Sequence, residues 1–186
     1  ISSSLCSKIV SMKKIIVILT LILLTGCSTM NLEDYKDKKP ILKLEEYFNG
    51  KSIARGVFED RFGNIKKSFK VFIDGTWDGE NLILKEDFIY DDGKKEYREW
   101  KLTKDKNNPN YYTGYAEGVI GIASGSTSGN AFNWKYGFKL QVGERKINVK
   151  FDDWMFLQED GYLINIAKVK KFGITLGRVI LFFEKK

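Results

Sequence analysis

The sequence predicts an all-β fold: a single antiparallel meander that closes into a barrel of about eight to nine strands, behind a short N-terminal helix. Three observations carry this. From Ile53 onward, short runs rich in Val, Ile, Phe, Tyr and Trp recur about every ten residues between Gly, Asn and Asp signals. No stretch between them is long enough for a crossover helix, so neighbouring strands should pair antiparallel. Each run is apolar on one face only: Phe132, Trp134, Tyr136, Phe138, Leu140 and Val142 alternate with Asn133, Lys135, Lys139 and Gln141, and Phe69, Val71 and Ile73 alternate with Ser68 and Lys70. An open sheet of this size would expose two edges, and closure removes them. A two-sheet sandwich is the competing architecture.

The chain begins with a segment that is not read as part of the fold. Met12-Lys13-Lys14 supplies a positive start and Ile15 to Leu24 an apolar run of about ten residues, half of the roughly 20 a spanning helix needs. Leu24-Thr25-Gly26-Cys27 follows and resembles the lipobox of diacylated bacterial lipoproteins, which implies cleavage before Cys27 and lipid on its sulfur. Residues Ile1 to Ser11 precede the expected initiator Met12. In lipoproteins of this type a serine after the lipidated cysteine, here Ser28, implies sorting to the outer membrane, facing the periplasm. Three segments are therefore expected: residues 1–26 as upstream residues plus signal peptide, 27–39 as lipidated N-terminus and tether, and 40–186 as the barrel.

Asn31 to Lys39 is charged and without period, which reads as the tether, and Pro40 closes it. Ile41, Leu44 and Phe48 then share one helical face, with Asn49-Gly50 as the stop. The expected strands are Ile53 to Arg61, Lys66 to Ile73, Asn81 to Tyr90, Lys94 to Thr103, Tyr111 to Ile120, Ala131 to Val142, Lys146 to Leu157, Tyr162 to Lys170 and Thr175 to Phe183. Gly125-Ser126-Thr127-Ser128-Gly129 reads as a flexible loop: no Gly-Lys-Ser/Thr follows for a phosphate cradle, and no histidine exists to activate a nucleophile. Lys104 to Asn110 reads as a solvated loop.

Two turns fix register. Asp91-Asp92-Gly93 and Glu159-Asp160-Gly161 fit three-residue hairpin loops with Gly in the left-handed position. The first places Leu84 opposite Trp100, Leu82 opposite Leu102 and Glu86 opposite Arg98. The second places Leu157 opposite Leu163, Met155 opposite Asn165, Asp153 opposite Ala167 and Phe151 opposite Val169. Glu86, Arg98, Asp153 and Asn165 then stand on otherwise apolar rows. Buried polar groups are paired as a rule, so one reading is internal pairs, Glu86 with Arg98 and Asp153 with Asn165 or a neighbour. The other is the polar end of a cavity walled by Trp100, Trp134, Tyr136, Phe138 and Phe151, with the arginine holding a ligand's carboxylate or phosphate.

Composition narrows the function. The net charge of +7 falls to +4 once Lys8, Lys13 and Lys14 are removed ahead of Cys27, too mild for a nucleic-acid footprint. Only Cys6 and Cys27 exist, so no disulfide can hold an exported domain whose Cys27 carries lipid. Histidine is absent, which excludes Ser-His-Asp and Cys-His nucleophiles and the usual zinc sets. No cofactor or metal motif is present, and no catalytic residue is assigned.

Several motifs together resemble one family: Phe58-Glu59-Asp60-Arg61-Phe62-Gly63, Gly75-Thr76-Trp77-Asp78-Gly79, Gly129-Asn130-Ala131, Asp152-Asp153-Trp154-Met155 and Lys171-Phe172-Gly173. They resemble the bacterial lipoproteins of domain of unknown function 3833. The resemblance implies an exported lipoprotein of unassigned activity with a lipocalin-like barrel. Lipocalins carry Gly-x-Trp on their first strand, whereas Gly75-Thr76-Trp77 lies later, so no ligand-binding residue is carried over. The expected function is a membrane-anchored, non-enzymatic protein that binds or shuttles a fatty acyl chain or similar apolar anion. The alternatives are an interaction lipoprotein with a filled core and, last, a hydrolase using Glu86 and Asp153 as paired carboxylates.

Overall fold

The computed structural model describes residues 30–186. The signal segment, Cys27 and Ser28 lie outside the described residues. Ten strands run in sequence order: β1 Gly50–Asp60, β2 Ile65–Trp77, β3 Asn81–Tyr90, β4 Lys95–Lys104, β5 Tyr111–Ala116, β6 Val119–Ser128, β7 Ala131–Val142, β8 Arg145–Leu157, β9 Leu163–Lys171 and β10 Ile174–Lys185. Each pairs antiparallel with the next, and β1 pairs with β10 from Ser52↔Lys185 to Asp60↔Gly177, so the meander closes into a barrel with no free edge. This excludes the sandwich.

The count is ten rather than eight or nine. The single strand expected over Tyr111 to Ile120 is two, β5 and β6, joined at Glu117-Gly118 with Gly118 at a positive φ of 88°. The expected loop Gly125 to Gly129 lies mostly within β6, which reaches Ser128. Gly125 belongs there for a packing reason. A Cβ on Gly125 would lie 2.1 Å from the Asn133 carbonyl oxygen and 2.8 Å from the Trp134 ring, so glycine lets the indole lie flat on the backbone of its neighbour strand.

Both hairpin registers are as the turns dictate. Leu84 faces Trp100 and Glu86 faces Arg98, while Phe151 faces Val169 and Asp153 faces Ala167. Tyr90 N–H donates to the Lys94 carbonyl and Gln158 N–H to that of Tyr162, closing the two loops.

One end of the barrel is stoppered. The helix α1 is only Leu44–Phe48, because residues up to Lys43 remain extended. Extended chain alternates, so Leu42 and Leu44 turn inward while Ile41, expected on the buried face, is 44% exposed. Phe48 packs edge-on against Phe183 at 5.6 Å, and a Cβ at Gly75 would lie 1.8 Å from the Phe48 carbonyl, so the helix end rests on the β2 backbone. Glu45 is held between the Lys104 ammonium and the Tyr112 hydroxyl, the latter at 2.7 Å. Behind this plug Tyr112, Phe132, Leu82 and Leu163 are fully buried.

Part of the expected tether is seated as well. A 3-10 turn, Leu32–Tyr35, places the Tyr35 ring 5.3 Å from Phe156 and 5.9 Å from Trp154. Gly129 makes room for it: a Cβ there would meet the Tyr35 carbonyl at 1.8 Å.

Candidate functional site

The opposite half of the barrel is lined differently. The inward rows follow from the pleat: Glu86, Phe88 and Tyr90 on β3; Glu96, Arg98 and Trp100 on β4; Trp134, Tyr136 and Phe138 on β7; Phe151 and Asp153 on β8; Asn165 on β9. Toward the plug these side chains are buried, as Trp100 and Trp134 are. Toward the mouth Tyr90, Glu96, Arg98, Tyr136, Phe138 and Phe151 are only partly covered. The lumen is therefore packed at one end and accessible at the other.

Aromatic rings build its wall. Tyr136 stacks on Phe151 at 4.8 Å and 7°, and meets Trp100 edge-on at 5.3 Å. Trp100 in turn meets Trp134 at 5.9 Å, and Phe138 meets Phe151 at 6.0 Å. All five residues expected to wall a cavity thus form one connected cluster.

The polar residues divide. Asp153 and Asn165 pair: the Asn165 amide donates to the Asp153 carboxylate and, at 3.0 Å, to the Trp154 carbonyl. Asn165 is 1% exposed and Asp153 7%, so this pair is architecture. Glu86 and Arg98 do not pair. Among the described residues Arg98 makes no ion pair or hydrogen bond; its guanidinium lies between two ring faces, 5.0 Å from the centroid of Phe88 and 5.3 Å from that of Phe138. The expectation of an internal Glu86–Arg98 ion pair is thereby corrected. Cross-strand neighbours in β3 and β4 share a face, but the rings draw the guanidinium to themselves.

Electrostatics show that these groups converge. Burial pushes the Glu86 carboxyl up to about 7, opposed by the Arg98 charge. Burial likewise raises Asp153 to about 7, opposed by its bond from Asn165 and reinforced by Asp152 and Glu86. The Tyr136 phenol is pushed well above its usual range by burial first, then by Asp153 and Glu86, with Arg98 opposing. Glu86, Arg98 and Asp153 therefore all act on the Tyr136 hydroxyl. The result is a cation and a phenol among aromatic rings in the open half of the lumen, with the Glu86 carboxyl, raised by burial, beside them. Such a lining suits an apolar molecule ending in an anionic group.

Phe88 as the second face of the arginine cradle, and Tyr90 bonded at 2.9 Å to Glu96 near the mouth, were not singled out in the sequence. The signal was available: both lie on the inward row of Glu86. Two depressions, of about 620 and 540 Å³, are centred elsewhere, one across β1, β2, β3 and β10 that takes in Phe69 and Tyr90 as well as Lys70 and Phe182, and one beside α1. Neither contains any of the four convergent groups.

A family model described as "Protein of unknown function (DUF3833)" matches residues 21–185. No curated protein matches the chain. Among solved structures, the S-type phycobiliprotein lyase CPES from Guillardia theta is similar, with a TM-score of 0.56 at 9% identity, over 84% of this chain and 98% of that one. At that identity the likeness concerns the fold, and the fold is a lipocalin-like barrel.

Proposed function

The chain belongs to the DUF3833 family, whose function is unknown, and from its own lumen we propose that it binds an apolar small molecule with an anionic head, a fatty acyl chain or lipid. The observation that carries this is Arg98: an inward guanidinium that feels the Glu86 and Glu96 charges but bonds neither carboxylate, cradled by Phe88 and Phe138. The guanidinium is only partly covered and bonds no protein carboxylate, so an incoming carboxylate or phosphate can take it by a bidentate contact. The chain of the ligand would lie along Trp100, Tyr136 and Phe151. The fold shared with a phycobiliprotein lyase supports small-molecule binding at the level of architecture.

On this reading the protein is a carrier rather than an enzyme. Glu86 and Asp153 do share the lumen, as a two-carboxylate hydrolase would require. Asp153, however, spends its carboxylate on Asn165 and is nearly covered. The place of action is the cell envelope, with lipid on Cys27 holding the barrel at the outer membrane on its periplasmic side.

The test compares a long-chain fatty acid with the alcohol of equal length, by displacement of a fluorescent acyl probe. The acid should bind at least about tenfold tighter, a difference of roughly 1.4 kcal/mol, and Arg98→Met should abolish the preference. Equal binding of acid and alcohol by the parent protein would reject a head-group role for Arg98.

A further inference from the structure

Five hairpin tips surround the open mouth, and they are not alike. Three that follow one another around the rim, β1–β2, β9–β10 and β7–β8, carry exposed apolar residues: Phe62 at 74%, Ile65 at 53%, Phe172 at 93%, Ile174 at 58% and Val142 at 52%. The β3–β4 and β5–β6 tips are Asp91-Asp92-Gly93 and Glu117-Gly118, polar at the turn itself, although Tyr115, Ile120 and Ile122 beside the latter are 53%, 39% and 67% exposed. Two of the apolar tips repeat a basic-Phe-Gly sequence, Arg61-Phe62-Gly63 and Lys171-Phe172-Gly173. In each the cation lies over its neighbour's ring, at 4.7 and 5.4 Å.

Neither phenylalanine is there for the fold. Phe172 takes a left-handed φ of 51°, unfavourable for a residue with a Cβ, and hides almost none of its ring in return. Phe62 is held outward by its own loop: its N–H donates to the Asp60 carboxylate at 2.9 Å, and Asn64 N–H to the same oxygen at 3.0 Å. Apolar points on a rim, each flanked by a long cation, do not form a surface for a packed protein partner. They suit a deformable plane that is apolar below and anionic above.

We propose that the rim arc of Phe62, Phe172 and Val142 docks on an anionic lipid bilayer, the phenylalanines entering the acyl boundary while Arg61, Lys171, Arg145 and Lys146 reach the phosphates. The described chain enters the barrel at the other end, with Leu32–Tyr35. Docking also sets the mouth of the lumen against the bilayer, but it stands on the tips alone and does not depend on what the lumen holds.

The test uses the full chain with Cys6→Ser and Cys27→Ser and one environment-sensitive dye, on Phe172→Cys or, as the far-end control, on Asn107→Cys in the β4–β5 loop. Vesicles of equimolar phosphatidylglycerol and phosphatidylethanolamine should shift the dye at 172 to the blue and leave the dye at 107 unchanged, while phosphatidylcholine vesicles shift neither. Phe62→Ser, which melts with the parent because it is exposed, should weaken vesicle binding about tenfold. A dye at 172 that stays aqueous on anionic vesicles overturns the proposal, as does an equal shift at both sites or a shift caused by protein concentration without vesicles. A barrel that binds fatty acid while its tips stay in water would reject the docking and leave the lumen reading intact.

Discussion

Glu86 and Arg98 stand opposite one another across β3 and β4, yet the arginine is held by Phe88 and Phe138 and not by the carboxylate. Removing the arginine therefore breaks no ion pair. Arg98→Met should cost less than about 2 kcal/mol, the value of its ring contacts, and not the 3–5 kcal/mol of a severed buried pair. With Glu86→Leu added, the two changes should depart from additivity by no more than about 1 kcal/mol in urea unfolding, the through-space effect of the Arg98 charge on Glu86 without a direct bond. A double variant much more stable than the sum of the singles would mean that the charges do meet.

Stability should rise on mild acidification. Glu86 goes from 4.5 unfolded to about 7 folded, and Asp153 from 3.8 to about 7. The native state thus binds more protons between these values, and the stability linked to both groups is complete at about pH 4 and lost as pH climbs through about 7. For Glu86 the rise corresponds to roughly 3 kcal/mol. Opposing carboxylates such as Asp60, lowered mainly by hydrogen bonds from the Asn64 and Phe62 amides, lose their contribution only in stronger acid. Thermal melting across pH should peak on the acid side of neutrality, and Glu86→Gln should flatten the fall toward pH 8. A melting temperature that increases from pH 5 to pH 8 contradicts this.

The strand status of the Gly-Ser-Thr-Ser segment is open to a single substitution. Gly125→Ala drives a Cβ into the Asn133 carbonyl and the Trp134 ring, so a loss of about 1–3 kcal/mol is expected, of the size seen for overpacked cores. Gly143→Ala meets nothing within 4 Å but sits at φ 57°, which confines its cost to local backbone strain, about 1 kcal/mol. If Gly125→Ala melts no lower than the parent, the close approach of Trp134 is not real.

Lipid attachment is checked by growth with a clickable fatty acid. The parent should be labelled and Cys27→Ser should not, since no cysteine follows position 27. Label on the serine variant would reject Cys27 as the acylated residue.

The barrel was legible because alternation and turn chemistry are local. Asp91-Asp92-Gly93 and Glu159-Asp160-Gly161 each dictate one loop length, and a loop length dictates every partner along the hairpin. Three features were not legible, each for a non-local reason. Gly125 to Ser128 holds a single strand former, Thr127, and only Asn133 and Trp134 on the facing strand explain the glycine. Ile41 matches a helical face in the sequence, but the chain stays extended to Lys43 and the pattern of two applies. The Glu86–Arg98 pairing was right as register and wrong as chemistry, because Phe138 comes from β7, far from both in sequence and adjacent only once the barrel closes.

The most direct measurement is native mass spectrometry of the protein taken from membranes in mild detergent, in parent and Arg98→Met forms. The parent should carry one non-covalent acyl-bearing anion per chain, released intact on activation, and the variant should be empty. An empty parent, or a variant that keeps the same anion, would contradict a lumen built to hold an anionic lipid at Arg98.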